Sequence, residues 1–141
     1  MKIGLLSYCK TKRHNVLRTP AKDLYQGVLF KAGYKYLKNL QVDRIYILSA
    51  LYGLIYETDL VGYYELRLAH NKEDNLNWAN SVITKLSEVA DLDNDVFIIL
   101  AGNDYMRNIV SKIKHYVCPL VGCGGLGCQL QWLKKENLLN E

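Results

Sequence analysis

Residues 45–54 read IYILSALYGL. An apolar run stops abruptly at Ser49-Ala50 and is followed by Tyr52-Gly53, the pattern of a buried strand that delivers a small polar side chain to the rim of a sheet. Three other apolar runs end in a similar way: MKIGLLSYCKTK at 1–12, DVFIILAGNDY at 95–105 and HYVCPLVGCGGLG at 115–127. Four such endings predict four loops gathered along one edge of a parallel sheet. In open α/β sheets the ligand sits there, in the crevice beyond the carboxyl ends of the strands.

The segments between these runs have helical period. Thr19-Pro20 is a good helix start, and Leu24, Val28, Ala32 and Tyr36 then repeat every fourth residue, with Leu29, Leu37 and Leu40 widening the stripe, so a helix is predicted over 20–40. A strand is predicted at 44–49. The stretch 50–71 holds Gly53, Gly62 and Tyr63-Tyr64 but no sustained period, and so long a connection tends to carry function. Leu76, Ala79, Ile83, Leu86 and Val89 or Ala90 predict a second helix over 74–90. Val96 to Ala101 is apolar throughout, as a central parallel strand is. Asn103 can cap a third helix bearing Met106, Ile109, Val110 and Ile113. Tyr116 to Val121 reads as a short strand, moved toward an edge by Pro119, and a last helix closes the chain from Gln129 to about Leu139. This order predicts an α/β fold: a single three-layer α/β/α domain over 1–141, with a small, mainly parallel sheet of about four strands.

Composition sets limits on what that domain does. Half of the 141 residues are hydrophobic and 23% are charged, which supports a packed core and argues against disorder. No stretch approaches the ~20 apolar residues of a membrane span, and the first apolar run is short and lacks a processing site. A cytoplasmic location, with no membrane partner, is the expectation. The net charge of +4 is unevenly spread, with ten Lys or Arg against two Asp in residues 1–44, and four against ten acids in 45–110. A basic first third suits phosphate, although Lys31, Lys35 and Lys38 also fit one solvated helix face. Cys118, Cys123 and Cys128 are evenly five apart, which is not the CxxC spacing of zinc ribbons. Disulfides are uncommon inside cells, so buried thiols are expected, with no metal and no cofactor.

The candidate ligand-binding residues lie at the strand ends. Ser7, Cys9 and Lys12 follow the first strand, and Cys9 among lysines is a place where a thiolate is favoured. Lysine can clamp a phosphate or act as an acid, base or nucleophile, which makes Lys12 a candidate catalytic residue. Asp23, beside Tyr25, fits a macrodipole acid, a site carboxylate or a partner for Lys12. Asp59 and Glu65 flank Tyr63-Tyr64 in the long loop and are general-base candidates. Ser49, Ala50, Tyr52 and Gly53 end the second strand; Gly102 and Tyr105 follow the third. Eleven tyrosines supply rings for stacking on a base. Gly122-Cys123-Gly124-Gly125-Leu126-Gly127 fits GxGxxG, but no βαβ unit with a distant acid can follow it, so a dinucleotide fold is not expected. Gly122, Gly124 and Gly127 either receive an anion at a helix N-terminus or form a tight packed turn.

Taken together, Ser7, Cys9 and Lys12, A-x-D-L-Y at 21–25, Phe30, I-L-S-A-L-Y-G-L at 47–54, Trp78, L-A-G-x-x-Y at 100–105, P-L-x-G at 119–122 and the closing Q-x-x-W-L resemble a domain-of-unknown-function family of bacteria and phages. More distantly, the I-L-S-A-L-Y-G-L core followed by Asp59-Leu60 and Tyr63 or Tyr64 is similar to the peroxide-stress YaaA proteins. That resemblance implies DNA or its components as partners. A weaker similarity, to the catalytic core of archaeosine synthases, implies only a sheet that handles a base, since the Cys-to-Lys spacing differs and other motif elements are missing. The expected function is nucleobase or nucleotide handling, at an N-glycosidic bond or in base modification of nucleic acid. The alternative is a non-catalytic DNA- or nucleotide-binding protein.

Overall fold

A computed structural model of the chain describes residues 1–8, 11–14 and 17–140; Cys9 therefore lies outside the described residues. The elements are β1 (Lys2–Leu6), β2 (Thr19–Pro20), α1 (Ala21–Leu24), α2 (Val28–Asn39), β3 (Arg44–Ser49), β4 (Gly53–Tyr56), β5 (Leu60–Val61), α3 (Lys72–Val89), β6 (Val96–Leu100), α4 (Asn103–Met106), a 3-10 turn at Val110–Lys112, β7 (His115–Val117) and α5 (Leu126–Leu139). Among the described residues five strands form the central sheet, in the order β4-β3-β1-β6-β7. β1, β3, β6 and β7 are parallel, and β4 runs antiparallel along β3.

Alternation along the strands divides the core in two. Leu6, Ile45, Ile47, Ile55, Ile98 and Leu100 face Phe30, Leu37 and Leu133 of α2 and α5. Ile3, Leu5, Tyr46, Leu48, Phe97 and Ile99 face Ala79, Val82 and Leu86 of α3, with Ile109 and Ile113. This is the two-sided burial that makes parallel strands continuously apolar. The chain after central β1 crosses one face through α2 to β3, while α3 carries it back over the other face to β6. Adjacent β1 and β6 are thus followed by segments on opposite faces. Between their carboxyl ends lies the topological switch point.

Several predicted elements differ in detail. The helix expected over 20–40 is two helices, because Tyr25 is fully buried and the backbone at Tyr25–Gln26 pairs instead with Lys12 and Thr11. The long connection 50–71 contains β4 and β5, so the sheet has five strands, one more than expected. The buried face of α3 is Asn75, Ala79, Val82 and Leu86, while Leu76 is exposed; a buried asparagine displaces the apolar stripe by one position. The third helix is a single turn followed by a 3-10 turn. β7 is an edge strand, as Pro119 predicts, but ends at Val117.

The connection 50–71 is fastened to β2 and α1, β2 and β5 forming a second, two-stranded sheet. β5 pairs with β2, Ala21 N–H donates to the Asp59 carbonyl at 2.8 Å, and Lys22 N–H to the Glu57 carbonyl at 2.9 Å. Gly62 lies so close to the chain at Leu17 that a Cβ there would stand 2.9 Å from the Leu17 carbonyl oxygen. Backbone cannot yield as a side-chain tip does. Gly62→Ala is therefore expected to destabilise the fold by about 1–3 kcal/mol, the usual range for overpacking, read from a urea unfolding midpoint.

Candidate functional site

A cleft of about 630 Å³ opens at the switch point, bordered by Ser7, Tyr8 and Lys12 after β1, by Gly102, Asp104 and Tyr105 after β6, by Tyr63 and 65–68 from the long connection, and by Leu126 at the start of α5. Of the predicted site residues it gathers Ser7, Lys12, Glu65, Gly102 and Tyr105. Ser7 is held by its N–H, which donates to the Leu100 carbonyl at 2.9 Å. Its side chain is 1% exposed, and its hydroxyl has no hydrogen-bond partner among the described residues. An unmet buried hydroxyl costs about 1–3 kcal/mol, so Ser7 is a polar group waiting at the cleft.

Tyr8 adopts a left-handed backbone (φ 68°), uncommon for a residue with a side chain and concentrated at functional sites. Its hydroxyl donates to Gln129 Oε1 of α5 at 3.2 Å, and burial pushes the phenol up to about 12. Lys12 Nζ stands 4.5 Å from the centre of the Tyr64 ring, a cation–π distance. Tyr63 donates its hydroxyl to Glu65, and this bond raises the phenol's pKa; its ring lies 4.5 Å from that of His14. Asp104 holds His70 Nδ1 at 2.9 Å. Tyr105 packs edge-on against Trp78, with ring centres 5.5 Å apart.

The IYILSALYGL segment builds the cleft's support, not its lining. Ser49 is fully buried; its hydroxyl lies 2.7 Å from the Tyr64 hydroxyl and accepts the Tyr52 N–H at 3.0 Å. Tyr64 in turn meets the Tyr25 hydroxyl at 3.0 Å. Residues 50–52 close a hairpin in which Ser49 pairs with Gly53, whose φ of 72° suits the left-handed position ending a three-residue loop. Ala50 is buried in this turn. Tyr52 crosses the Tyr64 ring edge-on at 5.4 Å and its hydroxyl bonds the Gly62 backbone. Trp78 Nε1 donates to the Ser49 carbonyl at 2.9 Å.

Of the three predicted carboxylates, Glu65 borders the cleft and the other two stand elsewhere. Asp23 is exposed on α1, and Asp59 accepts the Tyr56 N–H at 2.9 Å in the turn after β4; neither borders the cleft. Gly122, Gly124 and Gly127 are exposed on the loop before α5 and in its first turn, and Leu126 between them reaches the cleft. Tyr8, Arg67, Asp104 and Leu126 border it without having been predicted to. Their signal was adjacency: Tyr8 lies beside Ser7, and Asp104 beside Tyr105. Asn75 gave no signal, although it is fully buried and donates to the carbonyls of Ala69 at 2.9 Å and Asp104 at 2.8 Å. It ties the end of the long connection to the segment after β6.

A family model described as "Family of unknown function (DUF6884)" matches residues 3–135. The chain belongs to this family. It is also similar to a UPF0246 protein of Colwellia psychrerythraea, 36% identical over 73 residues, which cover 47% of this chain and 28% of that protein. UPF0246 is the YaaA family, in line with the distant resemblance carried by the ILSALYGL core. This chain thus matches under a third of that relative's length. No solved structure matches it. Among the described residues no helix is long and apolar enough to cross a membrane.

In this DUF6884 chain the Ser49–Tyr64 contact is the testable support of the site. Ser49→Ala and Tyr64→Phe are each expected to cost about 1–3 kcal/mol, because each leaves a buried polar partner unmet. The double variant should cost less than the sum, with a coupling of about 0.5–3 kcal/mol. Denaturant unfolding of the four proteins measures it; strict additivity would mean that the hydroxyls do not support one another.

Proposed function

We propose that the cleft binds a nucleobase or nucleotide. The observation that carries this is the buried Ser7 hydroxyl, without a hydrogen-bond partner among the described residues, at a cleft bordered by tyrosine rings and by cations. Tyr63 and Tyr105 offer rings for stacking. Lys12 and Arg67 offer charge for a phosphate, and Ser7 both donates and accepts, as a base edge requires. The cleft's position at the switch point of the sheet is the usual one for such ligands in α/β folds. For chemistry at an N-glycosidic bond the carboxylates at hand are Glu65 and Asp104, and each is already engaged, with Tyr63 and His70. Binding is therefore better supported than turnover.

Thermal unfolding in the presence of nucleobases, nucleosides and nucleotides tests the reading. A true ligand at 100 times its dissociation constant should stabilise by about 2.7 kcal/mol. Ser7→Ala separates site from scaffold. Without ligand it should leave stability unchanged or raised, since it removes an unmet buried hydroxyl, while weakening the ligand by roughly tenfold, the worth of one neutral hydrogen bond. No response to any of these compounds, or equal affinity in Ser7→Ala, would count against it.

A second reading, sequence-independent DNA binding, is supported by a different surface. Lys31, Lys35 and Lys134 border a shallow groove of about 390 Å³ between α2 and α5. If DNA lies there, affinity should fall steeply with salt, and Lys31→Glu with Lys134→Glu should reduce both the affinity and the slope in a gel-shift titration.

A further inference from the structure

Cys123 lies in the glycine-rich loop after β7, and Cys128 is the third residue of α5. Their sulfurs are 2.6 Å apart. Cys128 is exposed and Cys123 half-buried, so the pair differs from the buried, separate thiols expected from the spacing. Two features of the chain bring them together. Gly122 and Gly124, on either side of Cys123, both have left-handed backbone, with φ of 85° and 86°, and this turns Cys123 back onto the helix start. Gln129 fastens the same turn, its Nε2 donating to the Gly124 carbonyl at 3.4 Å while its Oε1 accepts the Tyr8 hydroxyl.

We propose that Cys123 and Cys128 form a thiol–disulfide exchange site that reacts with small-molecule disulfides of the glutathione type. Cys128 is the exposed member of the pair, so it is the sulfur that a small disulfide in solution reaches. Contact with Cys128 raises the pKa of Cys123, the half-buried member. Cys128 gives its proton to solvent and attacks one sulfur of the small disulfide, so that a mixed disulfide forms and one small thiolate leaves. Cys123 then gives its proton to solvent and attacks the Cys128 sulfur; the intramolecular S–S bond forms and the second small thiolate leaves. Both departing thiolates take up protons. Two protein thiols are oxidised while one small disulfide is reduced to two thiols. The two sulfurs already face each other across the turn, as an intramolecular attack requires.

The pair brackets Leu126, which borders the cleft, and is joined through Gln129 to Tyr8, which also borders it. Closing the bond fixes that wall of the cleft in the position seen here, and opening it frees the loop. The site is independent of what the cleft binds.

The test is incubation of the whole chain in graded mixtures of reduced and oxidised glutathione, with intact-mass and peptide-map readout. The expected result is loss of two hydrogens per chain, a peptide link between Cys123 and Cys128, reversal by dithiothreitol, and no link in Cys123→Ser or Cys128→Ser. Cys118→Ser should form the bond as the parent does, which controls for folding of a cysteine variant. Hydrogen exchange at 122–129 should slow at least severalfold on oxidation. A link through Cys9 or Cys118, glutathione adducts that persist on both cysteines, or thiols that stay reduced throughout the series would each overturn the proposal.

Discussion

Much of this structure depends on one buried hydroxyl, that of Tyr64, held between Ser49 at the end of β3 and Tyr25 after α1. Each of the three groups would be costly to bury alone. Together they fasten the long connection to the sheet and to the break between α1 and α2. The break is a consequence: Tyr25 can reach Tyr64 only if the helix ends at Leu24, and the backbone left over pairs with Thr11 and Lys12. That pairing sets Lys12 against the face of the Tyr64 ring. A cation at the cleft is thus positioned by a hydroxyl that is itself outside the cleft.

The parallel strands and their shared rim were legible because fully buried strands are apolar at every position, a signal that needs no partner to be recognised. The turn after Ser49 was not. The abrupt stop at Ser49-Ala50 reads equally as a strand end that presents a ligand group and as a hairpin that turns back, and only the pairing of Ser49 with Gly53 decides for the hairpin. Asp59 was similarly ambiguous, since an acid in a loop serves as a base or bonds a backbone N–H nearby. The face of α3 was misread by one position because its innermost residue is Asn75, and polar residues do not register in an apolar stripe. Ser7 was legible as a rim residue, but not as a hydroxyl left without a partner, which depends on every atom around it.

The family match spans residues 3–135 and therefore includes all four strand ends as well as the 62–71 segment. It adds no chemistry, as the family's function is unknown. The ILSALYGL core that carries the distant resemblance to YaaA proteins lies beneath the cleft, where it holds Tyr64 and Trp78. A motif of that kind reports a shared scaffold before it reports a shared substrate. The choice of ligand falls accordingly to the cleft's own side chains.

The long connection brings its share of those side chains to the cleft between two fastened points. The segment 65–68 that borders the cleft is bounded on one side by Tyr64 and, just beyond, by Ala69, whose carbonyl accepts from buried Asn75. This short span is thus fastened at both ends by hydrogen bonds to buried side chains. The unmet Ser7 hydroxyl and the left-handed backbone at Tyr8 persist for the same reason, since local strain survives only where the surroundings over-determine it. If the cleft binds a base as proposed, a change in the base edge facing Ser7, whose hydroxyl has no hydrogen-bond partner among the described residues, should matter more than a change in the length of any phosphate chain.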